Sequence, residues 1–180
     1  MRPALTSRGP RALAAACALL LVACADDSPG TVHLYDPAPV PGVPDRTREI
    51  DPEATDLAAG QYWASLTGDS DPQVLTFELT QALFADACIQ QLGEDECTNG
   101  FGTVDEPTRM VAAPVAPLTN VTVVGGNQQN YAITGEELLA IAGGAAPDTG
   151  APAGFAYTDL PFLLTVRGGK IVEAHQIWVP

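Results

Sequence analysis

Few residues of this chain have the types and spacing that catalysis or metal binding requires. Beyond residue 58 the sequence holds one histidine, His175, and no Gly-x-Ser-x-Gly turn that would expose a nucleophilic serine. It also lacks a His-x-x-x-His pair, a Cys/His cluster, a Walker loop and a dinucleotide-binding glycine pattern. We therefore expect no bound metal and no cofactor, and the sequence does not favour an enzyme.

Carboxylates are the abundant reactive groups, since 22 residues are acidic. Two facing carboxylates can hydrolyse a glycosidic bond, so a cell-envelope hydrolase with paired carboxylates stays open as the alternative function. Asp69 and Asp71 have the spacing of the first two ligands of a calcium loop. No glycine follows at the required position and no glutamate closes the loop, so we interpret both residues as turn formers.

The N-terminal sequence indicates a destination outside the cytoplasm. Three arginines are followed by an apolar run over residues 12–22, and this stretch ends in Leu21-Val22-Ala23-Cys24. That is the layout of a secretory signal. The last four residues resemble the lipobox of bacterial lipoproteins. That resemblance implies removal of residues 1–23, lipidation of the Cys24 thiol and an anchor on the extracytoplasmic face of the cell membrane. An ordinary secreted protein, cut nearby and with Cys24 incidental, is the other reading.

The cysteine count becomes informative once that resemblance is accepted. Cys17 leaves with the signal and Cys24 carries lipid, so Cys88 and Cys97 are the two thiols left to pair. An even pair outside the cytoplasm favours a disulfide. Two cysteines are too few for a zinc site, and their spacing is not that of a Cys-x-x-Cys redox motif.

Length and charge set the class of the mature protein. Loss of 23 residues leaves 157, enough for one domain and a tether. Three of the eight basic residues precede Cys24, so five remain against 22 acids, a net charge of −17. Such a surface repels phosphate backbones, which excludes nucleic acid as a partner.

Two parts of the mature chain differ in composition. Residues 24–58 are rich in Pro and Asp and poor in large apolar residues, which predicts a flexible tether. Within it, His33, Leu34 and Tyr35 form a small apolar island that is either part of the tether or docks on a partner or the domain. Residues 59–180 predict a single domain.

Alternating apolar residues predict hairpins at both ends of this domain. The first covers residues 60–79. The last covers residues 161–179, turning at Gly168-Gly169, because two glycines accept the positive φ angles of a two-residue turn. Shorter strands are predicted over residues 109–113, 121–124 and 131–133.

Two helices are predicted between the hairpins. Thr80 is positioned to cap the first, over Gln81 to Gln91, and Thr134 begins a capping box with Glu137 for the second, which Gly143-Gly144 ends. The fold class is therefore α+β, with a small mostly antiparallel sheet or partial barrel, two short helices and a closing C-terminal β-hairpin.

Several short motifs carry a second resemblance, which covers most of residues 60–180. They are Tyr62-Trp63-Ala64, Leu75-Thr76-Phe77-Glu78-Leu79, Asp86-Ala87-Cys88, Pro114-Val115-Ala116-Pro117 and Pro161-Phe162-Leu163-Leu164-Thr165-Val166 with Gly168-Gly169. With the lipobox they resemble a family of uncharacterised secreted lipoproteins of high-GC Gram-positive (actinobacterial) bacteria. The resemblance implies the fold and carries no catalytic residues.

Aromatic residues supply a candidate binding surface. Tyr62 and Trp63 alternate along one predicted strand, so one of them should face outward, and Trp178 lies near a predicted sheet rim. We take Trp63, His175 and Trp178 as possible members of this surface, although aromatic residues also cover secondary cores. We expect a non-enzymatic binding or interaction module of the cell envelope, with an envelope protein or polysaccharide as its partner.

Overall fold

The computed structural model describes residues 32–68, 71 and 73–179. Its helices and strands have the following bounds: β1 Pro37–Ala38, β2 Gly60–Thr67, β3 Val74–Phe84, α1 Ala85–Leu92, β4 Phe101–Pro114, β5 Asn120–Val124, β6 Asn130–Ile133, α2 Gly135–Ala142, β7 Phe162–Arg167 and β8 Lys170–Gln176. Within the described ranges, neither helix is long and apolar enough to cross a membrane.

The eight described strands form one open sheet, in the order β1-β6-β5-β8-β7-β2-β3-β4. Neighbouring strands are antiparallel except β5 and β8, which are parallel. The predicted α+β class, with a mostly antiparallel sheet and a C-terminal hairpin, is confirmed. In that hairpin Gly168 and Gly169 have φ angles of 56° and 75°, which only glycine adopts readily.

The two faces of the sheet carry different apolar clusters. Because side chains alternate along a strand, Tyr62 and Ala64 enter the main core while Trp63 between them enters a second one. Helix α2 buries Leu138 and Ile141 in the main core. The second cluster joins Trp63 and Leu163 to aromatic rings from the end of β3 and the start of β4.

Helix α2 begins where the sequence places it. The Thr134 hydroxyl accepts a hydrogen bond of 3.2 Å from the Glu137 amide, which confirms the predicted cap. The Glu137 carboxylate does not complete the capping box by returning to Thr134. It instead accepts hydrogen bonds from the Tyr35 hydroxyl at 2.6 Å and the Asp148 amide at 2.8 Å. It thereby ties two distant segments of the chain to the helix.

The first helix starts later than predicted. Strand β3 continues through Phe84 with an irregularity after Leu79, so α1 covers residues 85–92 and Thr80 does not cap it. The Thr80 hydroxyl instead donates a 2.7 Å hydrogen bond to the Val104 carbonyl on the neighbouring strand. Pairing with the long strand β4 therefore overrides the local cap signal.

The segment over residues 32–58, predicted as tether, packs on the sheet. Tyr35 is 4% exposed, and its amide donates to the Ala132 carbonyl at 2.7 Å. Further along, Thr47 and Arg48 donate main-chain hydrogen bonds to β3 and β2, at Ala82 and Gln61. In the part of the chain that the structure describes, the residues from 32 onward accordingly form one compact unit, so the domain extends upstream of the predicted boundary at 59. The predicted signal, Cys24 and residues 25–31 lie outside the described residues.

Candidate functional site

The residues predicted for a binding surface do not share one exposed face. Trp63 is 2% exposed, because it packs against Phe84 and Phe101 with ring centroids 5.5 and 5.3 Å away. It therefore belongs to a core and not to a binding surface. Trp178 is 46% exposed and is the one member of the set that is open to solvent.

His175 is also internal, at 8% exposure. Its Nδ1 atom lies 3.0 Å from the Thr122 hydroxyl, across the parallel pairing of β5 and β8. Burial lowers the pKa of the imidazole below its ordinary value of 6.5, although the Glu173 carboxylate opposes the shift. A neutral imidazole that bonds to a neighbouring strand has a structural role here.

The predicted disulfide is present. Cys88 in α1 and Cys97 in the following loop are bonded, with their Cα atoms 5.8 Å apart. Both side chains are buried, and they pack with Leu83, Leu92 and Val104. The bond therefore joins helix α1 to the loop that follows it, and the packing against Leu83 and Val104 holds both on the sheet. The described residues hold no group of three or more His, Cys, Asp or Glu side chains suited to a metal.

One cavity lies at the rim of the main core. It has a volume of about 180 Å³ and is bordered by the β2–β3 hairpin, the C-terminal end of α2 and two loop residues. Its lining residues are Leu66, Thr67, Gly68, Val74, Leu75, Thr76, Leu139, Ala142, Gly143, Tyr157 and Asp159. We call this space the Tyr157 cavity.

Its walls are apolar with a few polar groups. Leu75 is fully buried in the core, and Leu66, Leu139 and Tyr157 pack against the same cluster. Among the described residues, Asp159 is the one carboxylate in the lining, and no Lys, Arg or His lines the cavity. Ligand sites in proteins commonly combine apolar walls with a small number of placed polar groups.

The hydroxyl group of Tyr157 has no hydrogen-bond partner among the described residues. Its hydroxyl oxygen is buried, and it is the only such side-chain oxygen or nitrogen without a partner in the part of the chain that the structure describes. The other three tyrosines are all paired: Tyr35 with Glu137, Tyr62 with the Ala58 carbonyl and Tyr131 with Asn127. Burial, and then the charge of Asp159, raise the pKa of Tyr157, so the phenol is neutral at physiological pH.

Gln176 positions the loop that supplies Tyr157 and Asp159. Its side chain is fully buried, and its amide nitrogen donates to the Thr158 carbonyl at 2.8 Å. Its amide oxygen accepts from the Val124 amide at 3.0 Å. The final strand therefore holds the outer wall of the cavity against the sheet. Sequence reasoning missed this wall, because residues 155–161 contain neither a periodic pattern nor a motif.

A second cavity, of about 110 Å³, lies beside the 48–58 segment. It contains Arg48, Arg109 and three carboxylates, on Glu49, Asp51 and Asp56. Arg109 donates to the main-chain oxygens of Asp51 and Thr55, at 3.4 and 3.3 Å. All three carboxylates are exposed, whereas the acid of a carboxylate pair in a hydrolase commonly lies in an apolar pocket.

Comparison with known proteins gives no relative. No family model matches the chain, and neither does any curated protein or solved structure.

Proposed function

We propose that this chain is a lipid-anchored extracytoplasmic protein that binds a small, partly apolar ligand in the Tyr157 cavity and does not catalyse a reaction. The observation that carries this proposal is the mixed lining of that cavity, in which leucine side chains form apolar walls and Asp159 supplies a carboxylate. Ligand sites in proteins commonly combine apolar walls with a few polar groups.

The lining of the cavity favours binding over hydrolysis. The alternative function requires two facing carboxylates, one of them kept protonated by its surroundings. From the described residues the Tyr157 cavity receives one carboxylate, that of Asp159, which is exposed. The apolar walls from Leu66, Leu75 and Leu139 instead suit desolvation of a small ligand.

The proposed anchor rests on the lipobox-like residues that end at Cys24. Tyr35 is already packed into the domain eleven residues later. Since a residue spans at most about 3.6 Å, the domain would lie within about 40 Å of its point of attachment. An envelope protein or polysaccharide within that distance is the proposed partner class, and Trp178 is an exposed side chain available to it.

Ligand binding is tested with a panel of small amphiphilic fragments and ligand-observed NMR. The Ala142→Phe variant places a ring in the cavity, because Ala142 lines it at the end of α2. Ala140→Phe is the matched control, because Ala140 is exposed on the same helix and does not line the cavity. We expect fragment binding to wild type and to Ala140→Phe, and loss of binding in Ala142→Phe. Equal binding to both variants would rule out this cavity as the site.

The anchor is tested in cells. We expect labelled palmitate to follow the wild-type protein, and Cys24→Ala to release an unlabelled protein into the medium. Wild-type protein without label would contradict the anchor and leave the binding function standing.

A further inference from the structure

The size of the Tyr157 cavity limits the ligand. Its volume is about 180 Å³. An engineered protein cavity of about 150 Å³ holds a benzene molecule. A ligand that fills the Tyr157 cavity therefore has about six to eight non-hydrogen atoms within it.

The charges around the cavity select the sign of the ligand. Asp159 is the one acidic residue that the described part of the chain contributes to the lining, and the full chain has a net charge of −14. None of the described lining residues carries a cationic side chain that could receive an anion. Anionic ligands are therefore repelled, whereas a cation gains from the adjacent carboxylate and from the field of the whole domain.

Tyr157 adds one feature that suits an ammonium group. Its side chain lines the cavity, and aromatic rings attract cations. The Asp159 carboxylate and the Tyr157 ring thus offer complementary groups to the same cationic head.

We propose that the ligand class is a small primary amine, with its apolar part against Leu66, Leu75 and Leu139 and its ammonium group paired with Asp159. This assignment rests on the proposed binding function and specifies its ligand.

The test compares three probes of similar size and different charge: benzylamine, benzyl alcohol and benzoate. Dissociation constants are measured by protein-observed NMR with the full mature chain. We expect benzylamine to bind about fivefold more tightly than benzyl alcohol, the scale of an ion pair with an exposed carboxylate, and benzoate not to bind.

Variants separate the contribution of Asp159 from that of net charge. Asp159→Asn should weaken benzylamine about fivefold and leave benzyl alcohol unchanged. Asp36→Asn makes the same change in net charge at an exposed residue outside the cavity and should leave both affinities unchanged.

Two outcomes overturn the assignment and are distinguishable. Benzyl alcohol or benzoate binding as tightly as benzylamine would refute the amine class while the cavity still binds ligands. The binding function would be refuted as well if none of the three probes bound and if no fragment of the panel bound in a way that Ala142→Phe abolishes.

Discussion

Removing the Tyr157 hydroxyl should stabilise the ligand-free protein. In Tyr157→Phe the chain loses a buried oxygen that has no hydrogen-bond partner, and it loses no hydrogen bond. The desolvation penalty of such a group is about 1–3 kcal/mol. We take the lower end, a gain of about 1 kcal/mol in the free energy of unfolding, because part of the Tyr157 side chain is exposed.

Tyr62→Phe is the matched control, since it removes the same atom from another tyrosine. The Tyr62 hydroxyl donates a 3.0 Å hydrogen bond to the Ala58 carbonyl, so its removal should cost about 0.5–1.5 kcal/mol. The two variants therefore differ by about 2 kcal/mol in unfolding free energy and have opposite signs. The change in apolar surface is nearly the same in both and cancels in the comparison.

The assay is equilibrium unfolding in urea, with thermal unfolding as a second measure. A change of 1 kcal/mol shifts Tm by about 2–4 °C for a domain of this size, so both effects are measurable. We expect a higher midpoint for Tyr157→Phe and a lower one for Tyr62→Phe, with unchanged m-values. Equal destabilisation by both substitutions would show that the Tyr157 hydroxyl already has a partner and would refute this reasoning.

Three further predictions follow from the contacts of the fold. Burial raises the pKa of both Tyr35 and Tyr157, so their ionisation favours the unfolded chain. Urea unfolding at a series of pH values should show stability that is unaffected below pH 10 and falls above it, with a shallower fall in Tyr35→Phe. Replacing Cys88 and Cys97 by serine should cost about 2.5–3 kcal/mol in the chain-entropy account, and a double variant with the wild-type urea midpoint would contradict this. Gln176→Ala should lower the free energy of unfolding by about 3 kcal/mol, because it leaves main-chain groups of β5 and of the cavity loop unpaired, and it should also weaken fragment binding. A variant with unchanged stability and unchanged fragment binding would refute the positioning role.

Local signals in the sequence predict the best-defined elements of the fold. The C-terminal hairpin follows from apolar alternation around Gly168-Gly169, whose positive φ angles only glycine accepts easily. Helix α2 follows from Thr134 and from the glycines at its end. In each case the residues that determine the element lie within it, so no distant contact can change the outcome.

Long-range contacts account for the errors. Few apolar residues mark the 32–58 segment, yet Tyr35 pairs with Ala132 about a hundred positions away. Likewise Thr80 is a good helix cap by type but lies in a strand, because β4 is long enough to pair with all of β3. The alternation of residues around Trp63 is the same whether its face of the sheet is open or covered. Only the contacts with Phe84 and Phe101 show that Trp63 is buried.

The cavity could not be predicted for a related reason. Its walls come from three separate stretches, residues 66–76, 139–143 and 157–159, none of which contains a recognisable motif. Whether the Tyr157 hydroxyl has a hydrogen-bond partner depends on all of its neighbours in the fold, and the residues near Tyr157 in the sequence do not indicate the answer. The predicted disulfide, by contrast, required only that two thiols remain after Cys24 is assigned to the anchor.

The most direct test of the central claim is a methyl NMR map of where fragments bind. Leu66, Leu75 and Leu139 provide methyl groups in three parts of the cavity wall. Addition of benzylamine or another bound fragment should shift all three sets of signals in wild type and none in Ala142→Phe. Binding that leaves these signals unchanged and shifts only those around the exposed Trp178 would contradict the account.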